Sequence, residues 1–215
     1  MNTQDPIKRV AIVGGGTAGW MAAAVLARTL GQQLSITVVE SDQIGTVGVG
    51  EATIPQIRLL NGLLGLDEHQ FLAATQGSIK LGIEFDGWSR AGEKYLHAFG
   101  GFGQPLGMLR FYQYWLRAQH EGRAESLWDY SFNAVAAGHN RYAHVDRIEG
   151  THIEGLVRAY HFDASLFAKH LRALSERNGV SRVEGIVEQV ERAGDGQIAC
   201  LRLRDDVKVE ADLFI

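Results

Sequence analysis

Four glycines in a seven-residue stretch, Gly14-Gly15-Gly16-Thr17-Ala18-Gly19-Trp20, lie between an apolar run at residues 10–13 and an alanine-rich stretch at residues 21–30. A strand that ends in G-x-G-x-x-G and turns directly into a helix aims backbone N–H groups and the positive helix end at a pyrophosphate. In that arrangement Gly14 permits the tight turn, Gly16 lets a phosphate approach the backbone, and Gly19 lets the helix pack close to the strand. Glu40 closes the strand-like run at residues 35–39, 21 residues after Gly19, where a carboxylate can hold a ribose. The expected nucleotide site is therefore Gly14, Gly16, Thr17, Ala18, Gly19 and Glu40. A lone glycine motif says little, but strand, glycines, helix, strand and acid in this order are specific.

The elements that must position these residues follow from periodicity. Residues 8–13 read as the first strand, 17–30 as the first helix and 34–39 as the second strand, a βαβ unit that implies a parallel sheet with a right-handed crossover. Residues 41–55, with Gly45, Gly48 and Gly50, read as an extended loop, and a helix is expected from Pro55 through Leu64. Residues 80–85 alternate, which predicts one half-buried strand with Leu81, Ile83 and Phe85 inward and Lys80, Gly82 and Glu84 on the other face. A short strand is expected at 95–99, and an aromatic helix at 109–120 whose stripe reads as core. Asp163 is placed to cap a helix that ends at Asn178-Gly179. Strands are expected at 183–190, 198–203 and 207–215, with a turn at Ala193-Gly194-Asp195-Gly196.

Composition narrows the function class. The 26 glycines in 215 residues exceed an ordinary share of about 7% and suit a backbone brought up to a cofactor. A net charge of −4 provides no general field for nucleic acid or an anionic membrane. The lone Cys200 excludes an internal disulfide, fits a cytoplasmic protein and reads as a small apolar strand residue. No histidine has metal-ligand spacing with cysteine or carboxylate partners, so no metal is expected.

Four segments, GGGTAGW from Gly14, VGVGEATIP from Val47, KLGIEF from Lys80 and YHFDASLFAKHL from Tyr160, together resemble the flavin-dependent tryptophan halogenases. The resemblance runs through the whole chain and implies an α/β, Rossmann-like FAD-binding domain of the flavin monooxygenase and halogenase type with inserted substrate-domain elements. By this resemblance, residues 1–80 and 155–215 form the FAD-binding domain and 81–154 begin the substrate region. It implies that FADH2 from a separate flavin reductase reacts with O2 to a flavin hydroperoxide, which oxidises halide to hypohalous acid. Lys80 would then direct the halogen onto a small, electron-rich aromatic, indole- or tryptophan-like substrate. Gly48, Val49, Gly50, Glu51 and Ala52 would face the isoalloxazine, Val187 the adenosine half of FAD, and His97 and Phe99 the substrate.

The chain also departs from that family. It has no W-x-W-x-I-P motif, and the family's second catalytic residue, a glutamate, lies beyond residue 215. An apolar strand ending at Ile215 leads to the expectation that this is the front part of a longer, incomplete FAD-binding fold that would not turn over by itself. Two other readings stay open: a related flavin monooxygenase, and a non-catalytic truncated FAD-binding fragment. A nicotinamide dehydrogenase would leave VGVGEATIP without a role. The substrate's identity, the halide, and the choice between monomer and homodimer are open from sequence.

Overall fold

The computed structural model describes residues 6–31, 33–45, 50–204 and 206–215. The chain divides into two compact units. The first comprises Met1–Glu51, Leu59–Gly77 and Phe162–Ile215, and the second Ala52–Arg58 and Ser78–His161.

The chain opens with β1 (Arg9–Val13), α1 (Thr17–Leu30) and β2 (Ser35–Glu40), as the apolar runs and the glycine turn predicted to within a residue. β1 and β2 run parallel in register Arg9↔Ser35 to Val13↔Val39. The loop expected at 41–55 contains a short strand, β3 (Gly50–Ala52). Then come α2 (Ile57–Leu64) and α3 (Glu68–Ala74), capped by Asp67, whose carboxylate accepts from Gln70 N–H at 2.9 Å.

The single strand expected at 80–85 is two strands, β4 (Ser78–Lys80) and β5 (Gly82–Asp86), in different sheets. The chain switches partner at Leu81. β5 pairs with β6 (Lys94–Ala98), Gly82 opposite Ala98, and a Cβ at Gly82 would lie 2.7 Å from the His97 carbonyl oxygen. Lys80 is consequently not on a solvent face with Glu84: it is 6% exposed. The aromatic helix is α4 (Phe111–His120), and none of its residues is fully buried, so its stripe is not core. A 3₁₀ turn (Leu127–Tyr130) and α5 (Phe132–Gly138) follow.

β7 (Ala159–Asp163) and α6 (Ala164–Arg177) come next, with the Asp163 carboxylate accepting from Leu166 N–H at 2.8 Å as the cap and Gly179 at φ +88° beyond the end. The strand expected at 183–190 breaks at Gly185 into β8 (Ser181–Glu184) and β9 (Val187–Arg192), because β8 extends the parallel sheet while β9 joins an antiparallel one. β10 (Ile198–Leu203) pairs with β9 across the expected turn, where Gly196 N–H donates to Ala193 O at 2.9 Å. Last are β11 (Lys208–Glu210) and β12 (Leu213–Phe214), where one strand was expected.

In the first unit the parallel sheet has the order β12-β1-β2-β8. Alternation along its strands sends side chains to two faces. Ala11 and Val39 pack with Leu201, Leu203 and Val209 of the β9-β10-β11 meander. Ile12, pointing the other way, meets α1 near Gly19. α1 packs against α6, burying Trp20, Ala23 and Ala24 on one and Phe167, Ala168 and Leu171 on the other. Phe71, Phe162 and Phe167 form an edge-to-face trio with centroids 4.7 to 5.4 Å apart. Cys200 is buried in the meander, its thiol donating to Glu191 at 3.1 Å. No described helix is long and apolar enough to cross a membrane.

Asp212 fastens β12 to β1. Its carboxylate accepts from Lys8 N–H, Arg9 N–H and the Arg9 guanidinium, and its own N–H donates to Arg9 O. The Arg9 guanidinium and those two amides hold its pKa down at about 2. A depressed folded-state pKa contributes stability above the unfolded carboxylate range, lost as pH falls through about 2. Asp212→Asn is therefore expected to lower Tm at neutral pH, with the gap to the parent closing below about pH 4. Thermal melts across that range check it. A second expectation concerns α2, where the Asn61 amide is buried with neither atom hydrogen-bonded among the described residues. Removing such an orphaned amide in Asn61→Leu should raise stability by about 1–2 kcal/mol, measurable by urea unfolding.

Candidate functional site

The first unit holds a cleft at the glycine turn. Gly14 N–H donates to Val39 O at 2.9 Å, and Gly14 sits at φ +118°, a conformation that favours glycine. Gly16 is the N-cap of α1, extended, with no side-chain cap, so the helix's leading amides have no side-chain acceptor. A Cβ at Gly19 would lie 1.9 Å from Gly14 O, whereas one at Gly16 would meet nothing within 4 Å. Gly19 thus serves the packing of helix on strand, and Gly16 leaves open space. Thr17 turns its hydroxyl to Ala164 O at 3.3 Å, tying α1 to α6, and Ala18 is exposed. A cavity of about 280 Å³ opens here, lined by Gly14 to Gly16, Glu40, Ile44 and Gly185 to Val187. Free helix-end amides and an apolar wall suit the adenosine diphosphate part of a dinucleotide.

Glu40 lines this cavity, but its carboxylate is already engaged. One oxygen accepts from Arg182 Nε at 2.6 Å and Arg172 Nη1 at 3.4 Å, the other from Trp20 Nε1 at 3.3 Å. With about four lone-pair directions on a carboxylate, one remains for a ribose hydroxyl. Glu40 also explains Gly15, which the motif reading passed over: a Cβ there would sit 1.2 Å from Glu40 Oε2. Its sequence signal was the uninterrupted glycine triplet. Arg182 and Arg172 carried no signal, since they reach Glu40 from far along the chain.

Of the loop residues expected at a flavin ring, Gly48 and Val49 lie outside the described residues. Glu51 is half-buried and Ala52 exposed, and Gly50 has open space where a Cβ would go, so no described neighbour requires glycine there.

The second unit contains a buried amine. Lys80 is the last residue of β4 and pairs with Ala159 of β7. Its Nζ donates to Thr53 O at 2.8 Å and lies 5.6 Å from the centroid of the Phe99 ring. Desolvation by burial lowers the Lys80 pKa from that of an ordinary lysine. Thr53, unmarked by sequence reasoning although it stands in VGVGEATIP, holds that carbonyl in place. Its N–H and hydroxyl donate to Tyr160 O at 3.0 and 2.8 Å, and the hydroxyl accepts from Tyr160 N–H at 3.1 Å. His161 shares the sheet face of Lys80, since Ser78↔His161 and Lys80↔Ala159 are alternate pairs, with Ile79↔Tyr160 between them. Desolvation, and after it the Lys80 charge, lower its pKa.

Phe99 is 9% exposed and its N–H donates to Leu81 O at 2.8 Å, which brings it together with Lys80. His97 stands opposite Ile83 and is exposed, so the two residues of the H-x-F segment have different surroundings. A buried amine beside an aromatic face can donate to, or as a free base combine with, an electrophile. Among the described residues no three His, Cys, Asp or Glu side chains are grouped to hold a metal.

The family model for tryptophan halogenase matches residues 9–215. The chain belongs to the tryptophan halogenase family. Among solved structures it is similar to Xcc4156, a flavin-dependent halogenase from Xanthomonas campestris, with 47% identity, a TM-score of 0.89, and coverage of 97% of this chain and 41% of that one. BrvH, a flavin-dependent halogenase from Brevundimonas sp. BAL3, is 42% identical with a TM-score of 0.86, covering 97% and 42% of the two chains. The tryptophan 7-halogenase RebH of Lentzea aerocolonigenes is 35% identical over 97% of this chain and 42% of its own length. The chain thus spans about two-fifths of the length of these relatives. Its parallel-sheet α/β fold is that of the flavin-dependent halogenase structures.

Proposed function

We propose that the protein to which this chain belongs halogenates an electron-rich, indole- or tryptophan-like aromatic, using FAD in its reduced form. The observation that carries this is the Lys80 amine, 6% exposed, donating to Thr53 O and facing the Phe99 ring. Lysine is rarely buried unless its amine is paired, and here, among the described residues, a single backbone carbonyl holds it.

Gly14, Gly16, Thr17, Ala18 and Gly19 would hold the diphosphate, with Glu40 at a ribose and Val187 beside the adenosine. Gly48, Val49, Gly50, Glu51 and Ala52 would line the ring end. In this division residues 1–80 and 155–215 serve the cofactor, and 81–154 begin the substrate wall with His97 and Phe99. Reduced FAD held there would activate O2, the oxidant that turns halide into hypohalous acid. As an ammonium, Lys80 Nζ donates a hydrogen bond to the acid's oxygen and leaves the halogen more electrophilic. As a neutral amine, it takes the halogen to form N–X and releases water, a route that desolvation of Nζ favours. In either form the ring carbon gains the halogen and loses a proton. Phe99 supplies a flat face against which an indole can stack. The proposal includes a separate, diffusing flavin reductase, a cytoplasmic setting and a homodimer as candidate assembly.

The test uses the complete protein with a flavin reductase, NADH, FAD and bromide, and screens indoles and phenols by mass spectrometry. A bromine isotope doublet that depends on bromide is the expected product. Products that gain oxygen with or without halide would replace this reading with a monooxygenase, and FAD binding with no product would leave a non-catalytic flavoprotein.

A further inference from the structure

Lys80 ends one strand and Gly82 begins another in a different sheet, so the position of the amine depends on what fixes Leu81 between them. A residue outside every strand, in the first turn of α5, makes that connection. Asn133 is 2% exposed, and its Nδ2 donates to Leu81 O at 3.1 Å. The same carbonyl accepts from Phe99 N–H at 2.8 Å. The amide also grips Val157 in both directions: Nδ2 donates to Val157 O, and Oδ1 accepts from Val157 N–H at 3.1 Å. Val157 lies two residues before Ala159, the partner of Lys80 across the sheet.

We propose that Asn133 is a positioning residue for Lys80 and Phe99, acting through Leu81 and Val157. The inference rests on the halogenase reading for its functional meaning. Its chemistry is specific to the amide. The site presents two carbonyl oxygens and one N–H, so it requires two donors and an acceptor on one short side chain. Aspartate matches the shape but, ionised, turns a negative oxygen towards the two carbonyls. Glutamine keeps the amide but carries it one methylene further from the backbone, out of register with Leu81 O and with the N–H and C=O of Val157. Ser131 has a different partner: its hydroxyl caps α5 by accepting from Ala134 N–H at 3.3 Å. It therefore offers a control that loosens the same helix and leaves the amide in place.

The experiment compares Asn133→Asp and Ser131→Ala in the complete protein, with Asn133→Ser replacing the aspartate variant should that one not fold. Halogenation, FAD affinity and Tm are measured, together with the acetylation rate of Lys80 by acetic anhydride. Displacing a reacting group by about 1 Å costs on the order of 10²-fold in rate, so a loss of about that size is expected for Asn133→Asp near neutral pH. FAD affinity should stay within about twofold. The deficit should shrink as pH falls, because a protonated carboxyl regains one donor. Ser131→Ala should lose Tm but keep halogenating, and Lys80 should acetylate faster in Asn133→Asp than in the parent.

Parent-like halogenation and Lys80 labelling in a folded Asn133→Asp would overturn the inference. So would activity that falls in both variants in proportion to their Tm losses. If the parent halogenates nothing, the halogenase reading fails separately. Labelling then decides the placement: faster acetylation in Asn133→Asp sustains it, and an unchanged rate ends it.

Discussion

Lys80→Met in the complete protein should halogenate about 10³-fold more slowly than the parent, a loss within the 10²–10⁴ range of a positioned proton-transfer or hydrogen-bonding group. FAD affinity should stay within about twofold, because Thr53, the residue of the proposed ring-end loop that Lys80 touches, stays tied to Tyr160 by its own N–H and hydroxyl. Methionine is the informative replacement. It keeps an unbranched apolar stem of similar length, with sulfur in place of one methylene, and removes Nζ. Stability should change little or rise, since the variant no longer buries a group whose charged form is disfavoured there. Thr53 O loses a donor, and this offsets part of the gain. Lys80→Arg tests charge against chemistry. Arginine remains protonated at all accessible pH, so it can donate but cannot form N–X. Activity in Lys80→Arg would assign the work to the ammonium. The parent's pH profile is the independent check: a rate that rises with pH marks the neutral form, and one that falls marks the cation. Product at the parent level from Lys80→Met would remove the amine from the reaction.

How far the site could be read in advance depends on the range of the interactions that build it. The βαβ start was legible to within a residue because everything that defines it is local: two apolar runs, glycines at the turn, and an alanine-rich stretch between them. The cap at Asp163 was legible for the same reason. Lys80 was identified through family resemblance, but its burial was not. The alternation of residues 80–85 reads the same whether the stretch is one strand or two. What divides it is that Lys80 pairs with Ala159 while Gly82 pairs with Ala98, a choice made by distant segments. Glu40 is the clearest mixed case. Its place at the end of β2 was set by local pattern, yet the groups that occupy its carboxylate include Arg182, 142 residues away. The α4 stripe shows the reverse error, in which aromatic periodicity suggests core and the helix remains half-buried. Val183 and Val187 read as one strand because no periodic signal marks the step from one sheet to the next at Gly185.

Two glycines of the turn, Gly19 and Gly16, should separate stability from cofactor binding. At Gly19 a methyl group would lie 1.9 Å from the Gly14 carbonyl oxygen, a backbone atom that cannot rotate away. Gly19→Ala must therefore push α1 off β1. Overpacking of that kind costs about 1–3 kcal/mol, and the Gly14–Gly16 turn is distorted with it, so Tm and FAD affinity should fall together. Gly16 differs. Nothing lies within 4 Å of its would-be Cβ, and its φ of −76° is open to alanine. The fold should accept Gly16→Ala with a stability change within about 1 kcal/mol, the balance between a less favourable N-cap and a less flexible unfolded chain. The added methyl would nevertheless project where a phosphate must approach the α1 amides. Losing one or two charge-assisted hydrogen bonds, each worth about 1.5–3 kcal/mol, corresponds to a fall in FAD affinity of about 10- to 100-fold or more. Fluorescence titration with FAD and a thermal melt on the same samples measure both quantities. A Gly16→Ala variant that binds FAD like the parent would show that the diphosphate does not rest on this helix end, and the cofactor would have to be placed elsewhere in the chain.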